Sequence, residues 1–402
     1  MDALSSLAVA WSMNDGRDIL DRLIATQPTD PLAGATALRR RGLTVEQVHA
    51  VLDIAAGTTS ARAVGQPAHS WWSRSAAEQA SHPAVAEWRA RRFGDLVVTD
   101  LTAGCGGDAM AFARVAAGVV AVERDPSRAL LLRRNLETNC LVVLGDVLSK
   151  PVAPTTWWAD PARRRDGRRL RRLVSVIPSV PALLQTFGDA SGGVAVSPAV
   201  DLVDPHLPGD AELEFVQVGT RLVEATIWLG DMCDRGPAGG GEWRAKRSAT
   251  LLPEGLHIRG EPLTDVLPIT EIGAFLLEPA PASVRARLHE REGERIGASR
   301  IARGRAMLTA PGPSDSPWFT SWRVEAVLPM RAKIVRGWLR ERRNDLPMEI
   351  SLHGVETDVE AWIADVGAPR GPNGRHLHLL RLGGHGTAVL TRQVPRPPTG
   401  VG

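Results

Sequence analysis

From residue 96 to residue 197 the chain alternates short apolar runs, rich in β-branched residues, with longer segments of mixed character. Residues 96–100, 119–123, 141–144, 156–159 and 193–197 are expected strands. Helical segments lie between most of them, including 109–117, with 127–139 the clearest. Runs that stay apolar instead of alternating suit strands buried on both faces. The pattern therefore predicts a parallel sheet with helices on either side. Residues 221–228 and 243–252 are expected to add a closing pair of strands across the glycine-rich turn 236–241.

The flanking regions follow other patterns. Before residue 70 the chain reads as helical: 18–25 is amphipathic, prolines at 28 and 31 break it, and Thr44-Val45-Glu46-Gln47 opens a helix with Thr44 as N-cap. A further helix is expected over 75–93, interrupted at His82-Pro83. Composition changes again between Pro262 and Pro268. Beyond lie a helical stretch over 282–296, a proline-rich break at 311–317 and an α+β pattern over 318–392. The expected organisation is a helical region over 1–94, an α/β domain over 95–262, an α+β domain over 263–394 and a disordered tail over 395–402.

With 402 residues, 44% hydrophobic and 23% charged, the chain has ordinary globular composition and room for two or three domains. It contains no apolar stretch of the roughly 18 residues that span a membrane. Asp2 and Asp15 stand where a secretory signal would be basic and then apolar. Cys105, Cys140 and Cys233 are scattered, so neither a disulfide framework nor a zinc site is expected, and the expected location is cytoplasmic. All but three of the 48 basic residues are arginine, a skew that a GC-rich genome accounts for. Clusters of arginine still present planar forks suited to phosphate.

The chemistry is expected at the carboxyl ends of the strands. Asp100-Leu101-Thr102-Ala103-Gly104-Cys105-Gly106-Gly107-Asp108 reads as strand end, glycine turn and helix start, a geometry that brings backbone close to a small ligand. Glu123 ends the next strand, where a carboxylate can take two ribose hydroxyls. Asp146 follows the third and can accept a hydrogen bond from an adenine amino group. Asp100 and Asp108 can meet the ammonium of a methionine moiety. Each carboxylate alone can equally be a solvated strand end or a helix cap. Together they favour S-adenosylmethionine over a dinucleotide, although Ala109 at the third glycine position leaves NAD open.

At the end of the fourth strand, Asp160-Pro161 forms a stiff turn suited to holding an acceptor nitrogen, a position where an ordinary turn is the plainer reading. It leads into arginines that include Arg163, Arg164, Arg168 and Arg169. These are candidates for RNA phosphates or, equally, a solvated helix face. The ten histidines are dispersed, no His/Cys cluster suggests a metal, and His206, His376 and His378 read as structural or exposed.

Several motifs together carry a resemblance: Ala76-Ala77-Glu78-Gln79-Ala80-Ser81, the glycine turn, Asp160-Pro161-Ala162-Arg163-Arg164 with Gly167-Arg168-Arg169, and Val223-Glu224-Ala225-Thr226-Ile227-Trp228-Leu229-Gly230. Trp322-Arg323-Val324, Leu328-Pro329 and Ala388-Val389-Leu390-Thr391-Arg392 continue it. From about residue 70 to 392 the chain resembles bacterial class I S-adenosylmethionine-dependent methyltransferases with a C-terminal THUMP-like domain. The resemblance implies a Rossmann-like methyltransferase sheet. Asp100, Gly104, Gly106, Glu123 and Asp146 would hold the cofactor, Glu78 and Gln79 would close its pocket, and Asp160 would face the acceptor. It also implies an RNA substrate, with a base nitrogen of tRNA or rRNA as the expected methyl acceptor. The chain departs from the family pattern after the fifth strand: Val196-Ser197-Pro198-Ala199-Val200-Asp201 stands where Lys-Pro-Gly is expected. A catalytically silent RNA-binding protein is therefore an alternative, and an NAD-dependent oxidoreductase another. The sequence sets no oligomeric state.

Overall fold

The five runs expected as strands between residues 96 and 197 are strands in the computed structural model, which describes residues 31–136, 139–165, 168–170, 172–233, 246–342, 347–367, 369, 371 and 374–395. They are Val97–Asp100 (β1), Gly118–Glu123 (β2), Cys140–Leu144 (β3), Thr156–Ala159 (β4) and Ser191–Val196, numbered β7 below. Between β4 and β7 the arginine run folds as a two-stranded ribbon, Arg164–Arg165 (β5) with Arg168–Arg169 (β6), in antiparallel register. It is therefore not the helix face that was one reading of it. The expected segment 18–25, the turn 236–241 and the tail beyond residue 395 lie outside the described residues.

Contacts divide the chain into two units: Met1–Gly219 with Val223–Lys246 and Leu252–Gly255, and Thr220–Leu222 with Arg247–Leu251 and Leu256–Gly402. In the first unit, Pro31–Arg40 (α1), Val45–Ala63 (α2), Arg74–Ala77 (α3) and Pro83–Phe93 (α4) precede the sheet. Thr44 caps α2 as expected, with its hydroxyl accepting from the Gln47 N–H and its own N–H donating to the Gln47 side chain. Gly107–Ala113 (α5), Pro126–Asn135 (α6) and Val180–Phe187 (α7) alternate with the strands.

Glu212–Val218 (β8) and Arg221–Leu229 (β9) complete the first unit's sheet in the order β8-β9-β7-β4-β1-β2-β3. Strands β3, β2, β1, β4 and β7 run parallel, and β9 joins β7 antiparallel. The expected pairing of 221–228 with 243–252 does not form. Strand β9 lies between β7 and β8, and Arg247–Leu252 (β10) pairs with Leu256–Gly260 (β11). The sequence reading assigned no strand to 212–218, where Glu212-Leu213-Glu214-Phe215 alternates polar and apolar like a half-exposed strand yet is buried on both faces. Gly192 and Gly193 leave room for Trp157 and Trp228: a Cβ at either would come within 2.7 Å of a ring carbon. Chain order reverses between β1 and β4, the switch point beside which open α/β sheets bind ligands.

The second unit carries another sheet, in the order β13-β14-β12-β15-β18-β17-β16. Its strands are Phe275–Pro279 (β12), Ser299–Arg300 (β13), Leu308–Ala310 (β14), Phe319–Pro329 (β15), Met348–His353 (β16), Arg375–Leu382 (β17) and His385–Gln393 (β18). The helical stretch expected over 282–296 is two helices, Pro281–Ala286 (α8) and His289–Arg295 (α9). Ala332–Glu341 (α10) and Val359–Val366 (α11) follow; Val335, Leu339 and Val366 from them pack with Leu377, Leu379 and Leu390 of the sheet.

Candidate active site

The turn after β1 is built by glycine. Gly106, at φ +99°, takes the left-handed backbone that caps α5, and Gly104, at φ +56°, has nothing within 4 Å of where a Cβ would stand. Gly104 and Gly107 line a cavity of about 350 Å³ at the carboxyl ends of β1 to β4. Glu78, Gln79, Asp108, Glu123, Asp146, Asp160, Pro161 and Arg163 line it as well. Asp100 and Gly106 do not: Gly106 shapes the turn from behind, and Asp100 is buried beneath it.

The carboxylates in this cavity are not equivalent. Glu123 is buried, and its two oxygens accept from the N–H groups of Gly104 (2.9 Å) and Asp125 (2.7 Å), which ties β2 to the glycine turn. Burial raises its pKa above the usual carboxylate range. Asp146 is exposed and accepts from the Leu148 N–H at 2.9 Å, capping a short helical turn. Glu78 and Gln79 are both exposed at the cavity edge, the Gln79 amide donating to the Ser75 carbonyl. Cys105 is buried within the turn, and burial pushes its thiol to about 12, which removes it as a nucleophile.

Asp108 sits differently from its expected place beside an ammonium group. Its oxygens are already held by Arg89 at 2.6 Å, by the Ser81 hydroxyl at 3.2 Å and by the Trp158 indole N–H at 3.1 Å. Arg89 comes from α4, is buried, stacks 4.3 Å over the Trp158 ring and also pairs closely with Glu224 on β9. Arg163 continues the network: its Nη2 lies 3.6 Å from Glu224 and 3.5 Å from Asp160, and its Nη1 donates to the Val196 carbonyl. Arg163 is thus turned into the site and compensated there, not presented outward to a phosphate. The side chains of Arg164, Arg168 and Arg169 lie outside the described residues.

Two buried carboxylate oxygens in this network lack a hydrogen bond, Asp160 Oδ1 and Asp100 Oδ2. Asp100 uses its other oxygen to accept from the Thr102 N–H, and the Asp160 backbone N–H donates to the Thr102 hydroxyl at 2.7 Å. Burial holds Asp100 well above the usual carboxylate range, with the Asp108 charge adding to it. Burial likewise raises Asp160, and it brings Glu224 to about 7 against the pull of Arg89 and Arg163. Four carboxyl groups (Asp100, Asp108, Asp160 and Glu224) thus face two guanidinium groups. Burial favours the protonated forms of Asp100, Asp160 and Glu224 over further negative charge, and buried oxygens left without a hydrogen bond are costly unless a ligand satisfies them.

Sequence reasoning missed Arg89, and it quoted Ser81, Thr102 and Glu224 within motifs without giving them a role. A signal was present for Arg89: it and Arg92 fall in register with Val85, Ala86 and Phe93, apolar positions of α4. Charge at core spacing implies a buried partner. Glu224 stands in a motif of the resemblance, but its partner Arg89 lies 135 residues away, so its role was not legible locally. Ser197 is buried, and its hydroxyl accepts from the Ala199 N–H, closing the turn that departs from the family pattern.

No protein-family model matches the chain. It is 30% identical over 226 residues to an uncharacterized S-adenosylmethionine-dependent methyltransferase of Mycobacterium tuberculosis, found in strains CDC 1551 and H37Rv. The match covers 55% of this chain and 61% of that protein, so the chain spans about three fifths of the length of the curated relatives it matches. A crystal structure from Porphyromonas gingivalis W83 named "putative methyltransferase" superposes with a TM-score of 0.65 at 20% identity, covering 80% of this chain and 83% of that one. The resemblance drawn from the motifs therefore has a counterpart in a curated sequence. The Rossmann-like methyltransferase fold has one in a solved structure. Among the described residues no helix is long and apolar enough to cross a membrane, and no group of His, Cys, Asp and Glu side chains is placed to hold a metal ion.

Proposed function

We propose that the chain is an S-adenosylmethionine-dependent methyltransferase acting on a base nitrogen of RNA. The observation that carries the first half is the shared cavity: the glycine turn, Glu123, Asp146 and Asp160, from the ends of four adjacent parallel strands, line one space. The Asp160 oxygen left without a hydrogen bond beside this space and the carboxyl groups lining it suit a polar ligand that carries a sulfonium and an ammonium group. When bound it supplies an electrophilic methyl group on an excellent leaving group, so the protein's task is alignment. Gly104 and Glu123 would hold the ribose end and Asp146 the adenine, while Asp100 would support the glycine turn from below by accepting from the Thr102 N–H. Asp160 would orient the acceptor nitrogen and take its proton as methyl transfer proceeds. Its backbone is fixed by Thr102 and its side chain is flanked by Arg163.

The RNA half rests on the resemblance and on the arginine ribbon β5–β6, which follows Asp160-Pro161 directly in the chain. Ser197 and Ala199, at the departure from the family pattern, favour a second reading, a silent RNA-binding protein that keeps its cofactor pocket. Calorimetry with S-adenosylmethionine and transfer of a radiolabelled methyl group to total RNA from a deletion strain separate the two. Cofactor binding with incorporation is expected. Asp160→Ala should abolish incorporation while cofactor affinity stays within a few fold, and Glu123→Ala should weaken cofactor binding by about 1–3 kcal/mol. Tight cofactor binding without incorporation into any RNA would leave the silent reading standing.

A further inference from the structure

One cation in the network beneath the first unit's cavity serves two carboxyl groups. Arg163 is anchored through Nη1, which donates to the Val196 carbonyl at 3.3 Å. Its Nη2 lies 3.5 Å from Asp160 Oδ1 and 3.6 Å from Glu224 Oε2. A small rotation about the anchored nitrogen brings Nη2 to one oxygen and takes it from the other. Glu224 is held from behind: its Oε1 pairs closely with Arg89 and accepts from the Thr226 hydroxyl at 3.5 Å, which leaves Oε2 to Arg163. Asp160 and Arg163 line the cavity and Glu224 does not, so any effect of Glu224 on a bound molecule passes through its neighbours. The other charged groups around Asp160 are Asp100 of β1, Asp108 of α5 and Arg89 of α4. Arg89 is committed to Asp108 at 2.6 Å and to Glu224. Arg163 is therefore the cation that an ionised Asp160 draws on.

We propose that Glu224 is a positioning residue for methyl transfer, which shares Arg163 with Asp160 and takes the guanidinium over when Asp160 accepts the acceptor's proton. This role rests on the one proposed for Asp160. In the transfer the acceptor nitrogen bonds the methyl carbon as the carbon–sulfur bond breaks, its electron pair staying on sulfur. The N–H proton passes to Asp160 Oδ1, so the carboxylate and the sulfonium become neutral together. Before transfer, Arg163 opposes the cost of burying an ionised Asp160. After it, a largely buried guanidinium facing a neutral carboxyl group would lack a counter-charge. Glu224 Oε2 supplies that charge from 3.6 Å away. The same competition tunes the base. A guanidinium held by Asp160 alone would keep that carboxylate ionised and weakly basic, and sharing it with Glu224 leaves Asp160 basic enough to take a proton.

Removing each partner in turn should move Asp160 in opposite directions. Its carboxyl carbon is followed by NMR in the full-length protein carrying isotope-labelled aspartate, without cofactor, and is assigned by its loss in Asp160→Asn. Arg163→Gln should raise the titration midpoint by about one pH unit or more, and Glu224→Gln should lower it by about one, because Arg163 then serves Asp160 alone. Arg163→Lys keeps the charge and should leave the midpoint near the parent's; a shift as large as that of Arg163→Gln would mean lost shape, not lost charge, and overturn the proposal. Glu224→Asp draws the carboxylate back from Arg163 and should act as Glu224→Gln does, by less, which keeps the test open if the latter does not fold. Loosened packing alone would lower the midpoint in every variant, toward the ordinary carboxylate value. Shifts of one sign, or none, in the Arg163→Gln and Glu224 variants would therefore overturn the shared-cation role. Methyl transfer to total RNA from a deletion strain, read as rate against pH, is the second arm. Its rising limb should move up with Arg163→Gln and down with Glu224→Gln. Opposite shifts by NMR with no transfer by the parent would leave the coupling standing and sink the methyl-transfer reading. Transfer by the parent without opposite shifts would do the reverse.

Discussion

Two clusters of buried titratable groups, one in each unit, resolve burial in opposite ways. Beneath the cavity of the first unit, carboxyl groups keep company with Arg89 and Arg163, and two oxygens go without a hydrogen bond. In the second unit, His353, His376 and His378 stack on neighbouring strands and satisfy one another. His378 meets the His353 ring at 3.3 Å and the Thr391 hydroxyl at 3.1 Å, while His376 meets the Ser351 hydroxyl at 2.7 Å. Trp322 packs against two of the rings. Burial drives these histidines neutral, His353 and His376 to about 4, and a neutral cluster with its own partners asks for no ligand. Reactive residue types are therefore poor guides by themselves. Buried oxygens left without a hydrogen bond beside a cavity are better ones.

The contrast is sharpest at the central residue of each cluster. Arg89→Met leaves Asp108 and Glu224 buried without their main cation, and should destabilise the chain by about 3–5 kcal/mol in chemical denaturation. His378→Phe keeps the ring volume and removes two neutral hydrogen bonds, so about 1–3 kcal/mol is expected. Equal losses in the two variants would erase the distinction between a charged and a self-satisfied cluster.

Much of the fold was legible because its signals are local. Parallel strands buried on both faces are continuous apolar runs, and Thr44 with Gln47 is a capping box readable from four residues. The rim of the cavity was legible for the same reason: Gly104, Glu123, Asp146 and Asp160 each stand at or just past a strand end. What lies under the rim depends on pairing across the chain. Asp108 lines the cavity as its place beside the glycine turn suggests, but its partners Ser81, Arg89 and Trp158 come from elsewhere in the chain and were not legible. Strand β8 hid for a related reason. Its acids Glu212 and Glu214 are buried because Arg92, from α4, comes to meet them at 2.7 and 3.5 Å.

The smallest effect per pH unit, and the one that discriminates best, is the sign of the pH dependence. The folded His353 and His376 titrate near 4 against 6.5 for the free ring. As pH falls from 6.5 toward 4, the unfolded chain gains protons that the folded second unit refuses, so that unit loses stability. Glu224 titrates near 7 in the fold against 4.5 when free, and Asp100 and Asp160 shift the same way. Between pH 4.5 and 7 the folded first unit therefore holds the extra proton, and its stability falls as pH rises. Linkage limits each group to about 1.4 kcal/mol per pH unit. Hydrogen exchange followed separately in the two sheets should show protection moving in opposite directions between pH 4.5 and 6.5. Glu224→Gln should flatten the trend in the first sheet and leave the second untouched. A common direction in both sheets would mean that burial does not set these charges as the geometry requires.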